Sequence, residues 1–168
     1  MSSSKQVDDE ARALASVRRY LRTGVRSTQD VSTYLRRRGI SAEATQQVVS
    51  EARARGWLDD RACARLWAEH WARQGYAWSA ILEKLLAKGL ERRVIDEAAR
   101  DVGASTNDAT RARAVAAATT RRIRSTSRPI HQQRARLARA LAVRGFDSDI
   151  IEQVLSESLG FTPSDAER

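Results

Sequence analysis

Three glycines, Gly39, Gly89 and Gly145, constrain this 168-residue chain more than any other feature. Each closes a Leu-x-x-x-Gly pattern followed by an apolar residue: Leu35 to Ile40, Leu85 to Leu90, Leu141 to Phe146. Arg or Lys stands directly before each Gly. The clearest copy is Trp78 to Ala99, WSAILEKLLAKGLERRVIDEAA. Trp78, Ile81, Leu82, Leu85 and Leu86 fall at i, i+3, i+4, i+7 and i+8, one apolar stripe on a helix. Gly89 ends that helix, because glycine takes the left-handed conformation past a helix terminus at no steric cost. A second helix from Glu91 turns Val94, Ile95, Ala98 and Ala99 inward. The same columns follow each glycine: Ala44/Thr45, Val94/Ile95 and Ile150/Ile151, then Val48/Val49, Ala98/Ala99 and Val154/Leu155. This register predicts three tandem three-helix repeats, 11–56, 57–103 and 104–159. A disordered segment 1–10 and a polar tail 160–168 are expected to flank them.

The composition agrees with an all-α chain. Hydrophobic residues reach 42% but aromatics only 5%, prolines number two, and no run alternates with the period of a half-buried strand. The first helix is expected over 11–23, with Leu14, Val17 and Leu21 inward. Ser27, with Asp30 three residues on, forms a capping box for a helix over 28–38 carrying Val31, Tyr34 and Leu35. Ser41 opens a third helix, through Ala44, Val48 and Val49, that Gly56 stops. A helix over 60–73 presents Cys63, Leu66, Trp67, His70 and Trp71 as its stripe, started by Asp59 and Asp60 as caps. Ser105 caps an Ala/Arg helix over 107–124. A break at 125–129 and helices over 130–144 and 147–159 complete the third repeat.

A single cysteine, Cys63, excludes an internal disulfide and fits a reducing compartment. No apolar run approaches the ~20 residues of a membrane span, and the segment MSSSKQVDDEA lacks the apolar core of a signal peptide. A cytoplasmic protein without a membrane partner is expected.

The net charge of +9 is polarised. Residues 104–146 hold ten arginines against a single acid, Asp108, and residues 11–40 hold eight against Asp30. The middle is balanced, and the stretch from Asp147 onward is acidic. Base composition accounts for an arginine excess as readily as function does, but not for the disappearance of acids from 109–146. A solvated helix interleaves acids for i,i+4 pairing. Their absence points to an anionic partner, nucleic-acid phosphate or an acidic protein surface. The candidate contact residues are Arg111, Arg113, Arg121, Arg122, Arg124, Arg128, Arg134, Arg136 and Arg139. A secondary basic patch comprises Arg18, Arg19, Arg22, Arg36, Arg37 and Arg38.

At Asp60, Cys63-Ala64, Trp67, Gly75-Tyr76, Ile81, Leu85 and Lys88-Gly89-Leu90 the chain resembles the RecX family of bacterial recombinase regulators. The resemblance runs over about 12–159 and is sharpest in the middle repeat. Cys63 stands where an aromatic is usual, Ala77 where a second Gly is common, and Lys84 where the family has Glu, a change expected to alter a surface contact. The resemblance implies an elongated, curved array of three-helix repeats. It also implies a protein that binds RecA recombinase, or its nucleoprotein filament, and restrains recombinase, ATPase and co-protease activity. Direct binding of single- or double-stranded DNA through the arginine faces is the alternative. A monomer is expected.

No enzymatic constellation is visible. His70 and His131 are far apart and neither has metal-ligand spacing with Cys or acids. His70 is expected as a core or interface histidine, and Cys63 as a small buried hydrophobe, although the arginines beside it and a helix N-terminus are features that lower thiol pKa values. No Gly-rich loop cradles a phosphate, so no catalytic residue, metal or cofactor is expected. Trp67, Trp71 and Trp78 lie on core stripes, where packing outweighs base stacking. Trp57 is expected to make a contact between repeats.

Overall fold

The computed structural model describes residues 2–102, 108–124 and 129–159, with side chains for 10–102, 108–122 and 129–158. Among the described residues every regular element is helical. The order is α1 Ser2–Leu21, α2 Thr28–Arg37, α3 Ala42–Ala54, α4 Asp60–Arg73, α5 Trp78–Ala87, α6 Arg92–Val102, α7 Asp108–Arg124, α8 Ile130–Ala142 and α9 Ser148–Leu159. These are three helices for each copy of the glycine pattern. The chain divides into two compact units, residues 1–67 with 85–98, and residues 68–84 with 99–168. We propose the boundaries 11–56, 57–103 and 104–159 as the units of the repeated pattern; packing shares the middle one between the two compact units.

α1 begins at Ser2, well before the expected Ala11, since neither Gly nor Pro interrupts the segment. The proposed Ser105 cap and the breaks at 103–107 and 125–128 lie outside the described residues, as does the tail from 160. The remaining helix ends fall within two residues of expectation, and their caps show why. Ser27 Oγ accepts from the Asp30 N–H at 3.0 Å, and Asp30 Oδ2 accepts from the Ser27 N–H at 3.3 Å, the reciprocal capping box. Ser41 caps α3 through the Ala44 N–H at 3.2 Å. At the other ends, Gly39, Gly89 and Gly145 take φ of +78°, +71° and +81°. The N–H of Ile40, Leu90 and Phe146 then bonds back to the carbonyl of Leu35, Leu85 and Leu141. This is the Schellman closure, with its apolar pair supplied by the same residues.

In the first unit α1, α2 and α3 pack around Ala13, Val17, Val31, Leu35, Val48, Val49, Ala52 and Leu58. In the second, α7, α8 and α9 enclose Ala77, Ala112, Ala116, Leu137, Leu141, Phe146, Val154 and Leu155. Ala112 and Ala116 are fully buried, so α7 meets its neighbours through alanines and the backbones approach closely. The stripe expected on α4 is out of phase. Cys63, Ala64 and Ala68 are buried, while Leu66 is 44% exposed and His70 is exposed. The fully buried positions of this helix are again alanines. Trp67 and Trp71 flank it half-buried, under the ammonium groups of Lys88 and Lys84 at 4.8 and 5.8 Å from the ring centroids. Leu86, expected inward, is 45% exposed.

One joint occurs twice, once in each unit. In the first, Asp60 Oδ1 at the start of α4 accepts the N–H of Thr28, the first residue of α2, at 2.8 Å. In the second, Asp108 at the start of α7 accepts the N–H of Trp78, the first residue of α5, at 3.1 and 3.2 Å. Each joint has a second clasp. Ser27 Oγ donates to the Lys88 carbonyl at 2.8 Å and Gln29 presses on Gly89. Ser79 Oγ donates to the Gly145 carbonyl at 2.8 Å and Ala80 presses on Gly145. A Cβ on Gly89 would sit 2.5 Å from Gln29 Cβ, and one on Gly145 2.7 Å from Ala80 Cβ, while Gly39 has nothing within 4 Å.

Cys63 is 4% exposed and its Sγ donates to the Arg26 carbonyl at 3.0 Å. Burial first, then the nearby carboxylates of Asp60, Asp30 and Asp59, pushes the thiol up to about 12 from an ordinary value of 9.0. The low-pKa environment conceivable from its arginine neighbours is therefore not formed.

Two outcomes follow from this packing. Gly39→Ala is expected to cost about 1–2 kcal/mol for the left-handed backbone alone. Gly145→Ala adds the collision with Ala80 and costs at least about 1 kcal/mol more; urea midpoints at constant m-value measure the difference. Cys63 is expected to react with a disulfide reagent at pH 8 about a hundredfold or more slower in the native than in the unfolded protein. Because its thiol stays protonated in the native state while the unfolded thiol ionises, its contribution to stability is whole below pH 9.0 and declines as pH rises towards about 12. A denaturation series across that range reads the sign.

Candidate partner-binding faces

The acid-free stretch does not stay unpaired once folded. Arg113 on α7 forms a two-pronged pair with Glu157 of α9 at 2.8 and 3.1 Å, and Arg134 on α8 reaches Glu152 of α9 at 3.1 Å. Arg111 pairs with Asp108 and leaves only 12% of its side chain exposed. The hydrogen bond from Arg113 holds Glu157 below the ordinary carboxylate range, and the same bond raises Arg113. The acids missing from 109–146 are thus supplied in part by α9, across a distance in sequence that i,i+4 reasoning does not span.

Arg121, Arg136 and Arg139 are exposed and have no ion-pair partner among the described residues. On α8, Gln132, Arg136, Arg139 and Val143 follow at i, i+4, i+7 and i+11 and are all exposed, Val143 by 74%. This face lies opposite the fully buried Leu137 and Leu141. Arg122 is exposed and lines a cavity of about 300 Å³ with Arg111, Arg73 and Arg144. Arg73 and Arg144 escaped the sequence reading because they belong to α4 and to the turn after α8. The cavity sits at the last turn of α4, whose carbonyl end favours cations. Arg124 is in α7 with its side chain outside the described residues, and Arg128 lies outside them altogether.

The secondary patch divides. Arg18, Arg19 and Arg22, all exposed, line one groove with Arg55 and Trp57. Arg36, Arg37 and Arg38 end α2 elsewhere. Arg36 contacts Thr33 Oγ1 at 3.4 Å, and Arg38 lies over Tyr34 at 4.8 Å. Tyr34 in turn stacks on Tyr20 with centroids 4.2 Å apart. Trp57 packs at the edge of the first core, with the guanidinium groups of Arg55 and Arg18 over its ring at 5.2 and 6.0 Å. The expected Lys84 surface contact is local: its Nζ sits 4.7 Å from the Tyr76 ring centroid.

Chemically, these faces bind anions and apolar side chains. His70 is exposed, not in a core, with its Nε2 3.1 Å from the Gln74 amide, and His131 is exposed. Among the described residues no group of three His, Cys, Asp or Glu is placed to hold a metal, and no helix is long and apolar enough to cross a membrane.

Comparison with known proteins fits this architecture. Residues 110–155, from α7 into α9, match the model of the third three-helix domain of RecX. The regulatory protein RecX of Streptomyces coelicolor is 30% identical over 162 residues, covering 95% of this chain and 82% of that protein. RecX of Pseudomonas fluorescens is 31% identical over 128 residues, 76% of this chain and 79% of the relative. The crystal structure of RecX from Lactobacillus salivarius superposes with a TM-score of 0.72 at 17% identity, over 92% of this chain and 99% of that one. A second RecX crystal structure gives 0.69 at 22%, over 89% and 73%; both share the fold. With the shared three-helix pattern, the coverage and the identity in agreement, this chain belongs to the RecX family of regulatory proteins.

Proposed function

We propose that this protein is a non-catalytic regulator that binds RecA recombinase, or its filament on DNA, and restrains recombinase, ATPase and co-protease activity. Membership of the RecX family supports RecA as the partner. The α8 face supplies the observation that carries a binding role: Arg136 and Arg139 are exposed and without acid partners among the described residues, and they run into the exposed aliphatic Val143. Charged rim and apolar anchor side by side suit a protein surface. Arg121 on α7 extends the positive field.

Binding to naked nucleic acid is the second reading. Arg121, Arg136 and Arg139 alone would give a log–log salt slope of about −2 to −3. Such a slope makes a weak grip on bare DNA near 0.15 M salt, so the filament, with its protein surface, is the better target.

Addition of this protein at several-fold molar excess is expected to lower RecA ATP hydrolysis and strand exchange; unchanged rates would sink the regulatory reading. The double substitution Arg136→Glu with Arg139→Glu is expected to weaken filament binding about tenfold or more. Because both side chains are exposed, stability should move by no more than about 0.5 kcal/mol. Co-sedimentation with RecA filaments, beside a urea titration, checks both.

A further inference from the structure

A second surface in the first compact unit has no part in that reading. Two grooves meet along Trp57. One, of about 380 Å³, is walled by Leu21, Val25, Ala62 and Leu66. Val25 is 39% and Leu66 44% exposed, large aliphatic side chains that the core does not cover. The other, of about 630 Å³, is walled by Arg18, Arg19, Arg22 and Arg55. Arg22 and Trp57 line both, so the aliphatic lane and the cationic lane run side by side.

The acids nearby are engaged in part. Asp59, which lines the aliphatic lane, spends Oδ1 on the N–H groups of Arg61 and Ala62 at 2.9 and 3.0 Å, capping α4. Glu51 holds Arg55 at 2.6 Å. Arg18, Arg19 and Arg22 are exposed and have no ion-pair partner among the described residues. Their charge therefore faces outward beside apolar surface.

We propose that this double groove docks an acidic, amphipathic peptide segment of a protein partner. Its aliphatic side chains enter the lane between Leu21, Val25 and Leu66, and its carboxylates pair with Arg18, Arg19 and Arg22. A helix with acids on one edge and aliphatics at i, i+3, i+4 and i+7 has this division of chemistry. A nucleic-acid strand fits less well. The Trp57 ring already carries two guanidinium groups, which a stacking base would have to displace, and the open lane is aliphatic where a base platform is aromatic.

The test uses the full chain without recombinase, so its failure and the failure of the regulatory reading are separable. The probe is a fluorescent peptide of about 15 residues, Glu with Leu at the i, i+3, i+4, i+7 spacing. The comparison probes are an all-Glu peptide of equal length and a labelled oligothymidylate. Fluorescence anisotropy is expected to show saturable binding of the amphipathic peptide, weaker binding of the all-Glu peptide, and loss of about tenfold or more in affinity for Arg19→Glu with Arg22→Glu and for Leu66→Ser. Circular dichroism confirms that each variant is folded. Should the charge reversal unfold the chain, Arg22→Gln and Val25→Ser carry the same expectation at a smaller loss. No saturable peptide binding, equal binding of the all-Glu peptide, tighter binding of the oligothymidylate, or unchanged affinity in folded Leu66→Ser would each overturn the assignment.

Discussion

The arrangement depends on a carboxylate at the start of one helix taking the first backbone N–H of another. Asp60 does this for Thr28 and Asp108 for Trp78. The first N–H groups of a helix have no partner within it, and an ionised acceptor satisfies one of them more strongly than a neutral group. Each carboxylate also holds an arginine, Arg53 on Asp60 and Arg111 on Asp108, so neither is left as an uncompensated charge. The glycine clasp closes the same joint from the other side. Gly89 and Gly145 are needed twice over, for their backbone conformation and for the space that Gln29 and Ala80 occupy. Gly39 serves only the first purpose, because nothing lies within 4 Å of the position a Cβ would take there.

A chain whose core is rich in Ala and Val gains little from any single buried side chain. It gains by bringing helices close, and Ala112 and Ala116 on α7, against α8 and α9, are the contact points where this happens. The tryptophans lie at the edges. There Trp67, Trp71 and Trp57 lie half-buried, and Lys88, Lys84, Arg18 and Arg55 cover their rings. Cations thus shield aromatic surface from water in both units, and a large part of the basic side chains is occupied structurally.

That division matters for function. Arg113 and Arg134 tie α7 and α8 to α9, and Arg111 is nearly enclosed beside Asp108. Of the arginines left facing solvent, some are placed next to exposed aliphatics: Val143 beside Arg139, and Val25 and Leu66 beside Arg22. Charge next to apolar surface is the chemistry of protein docking more than of phosphate gripping. The proposed mode of action, occupying another protein's surface, requires no catalytic group. Cys63, the most reactive side chain by type, is sealed against the Arg26 carbonyl.

The order of helices, their caps and the three-fold glycine pattern were legible in the sequence, because capping is local: Ser27 with Asp30, Ser41, and each glycine act within one turn. The inward columns after each glycine were legible too, since a helix repeats its face every few residues. The phase of α4 was not. Ala64 and Ala68 are weakly apolar by type, and only tertiary packing makes them core while Leu66 and His70 turn outward. The arginine faces were legible as an excess of charge but not as a site. Glu152 and Glu157 lie far along the chain from Arg134 and Arg113, and Arg55 and Trp57 far from Arg18. Such pairs exist only where folding brings separate helices together. Composition and the glycine pattern determined that this protein would be helical, repeated and basic; tertiary packing decided which arginines are bound internally and which face solvent, because ion pairs such as Arg113 with Glu157 form only between helices that folding brings together.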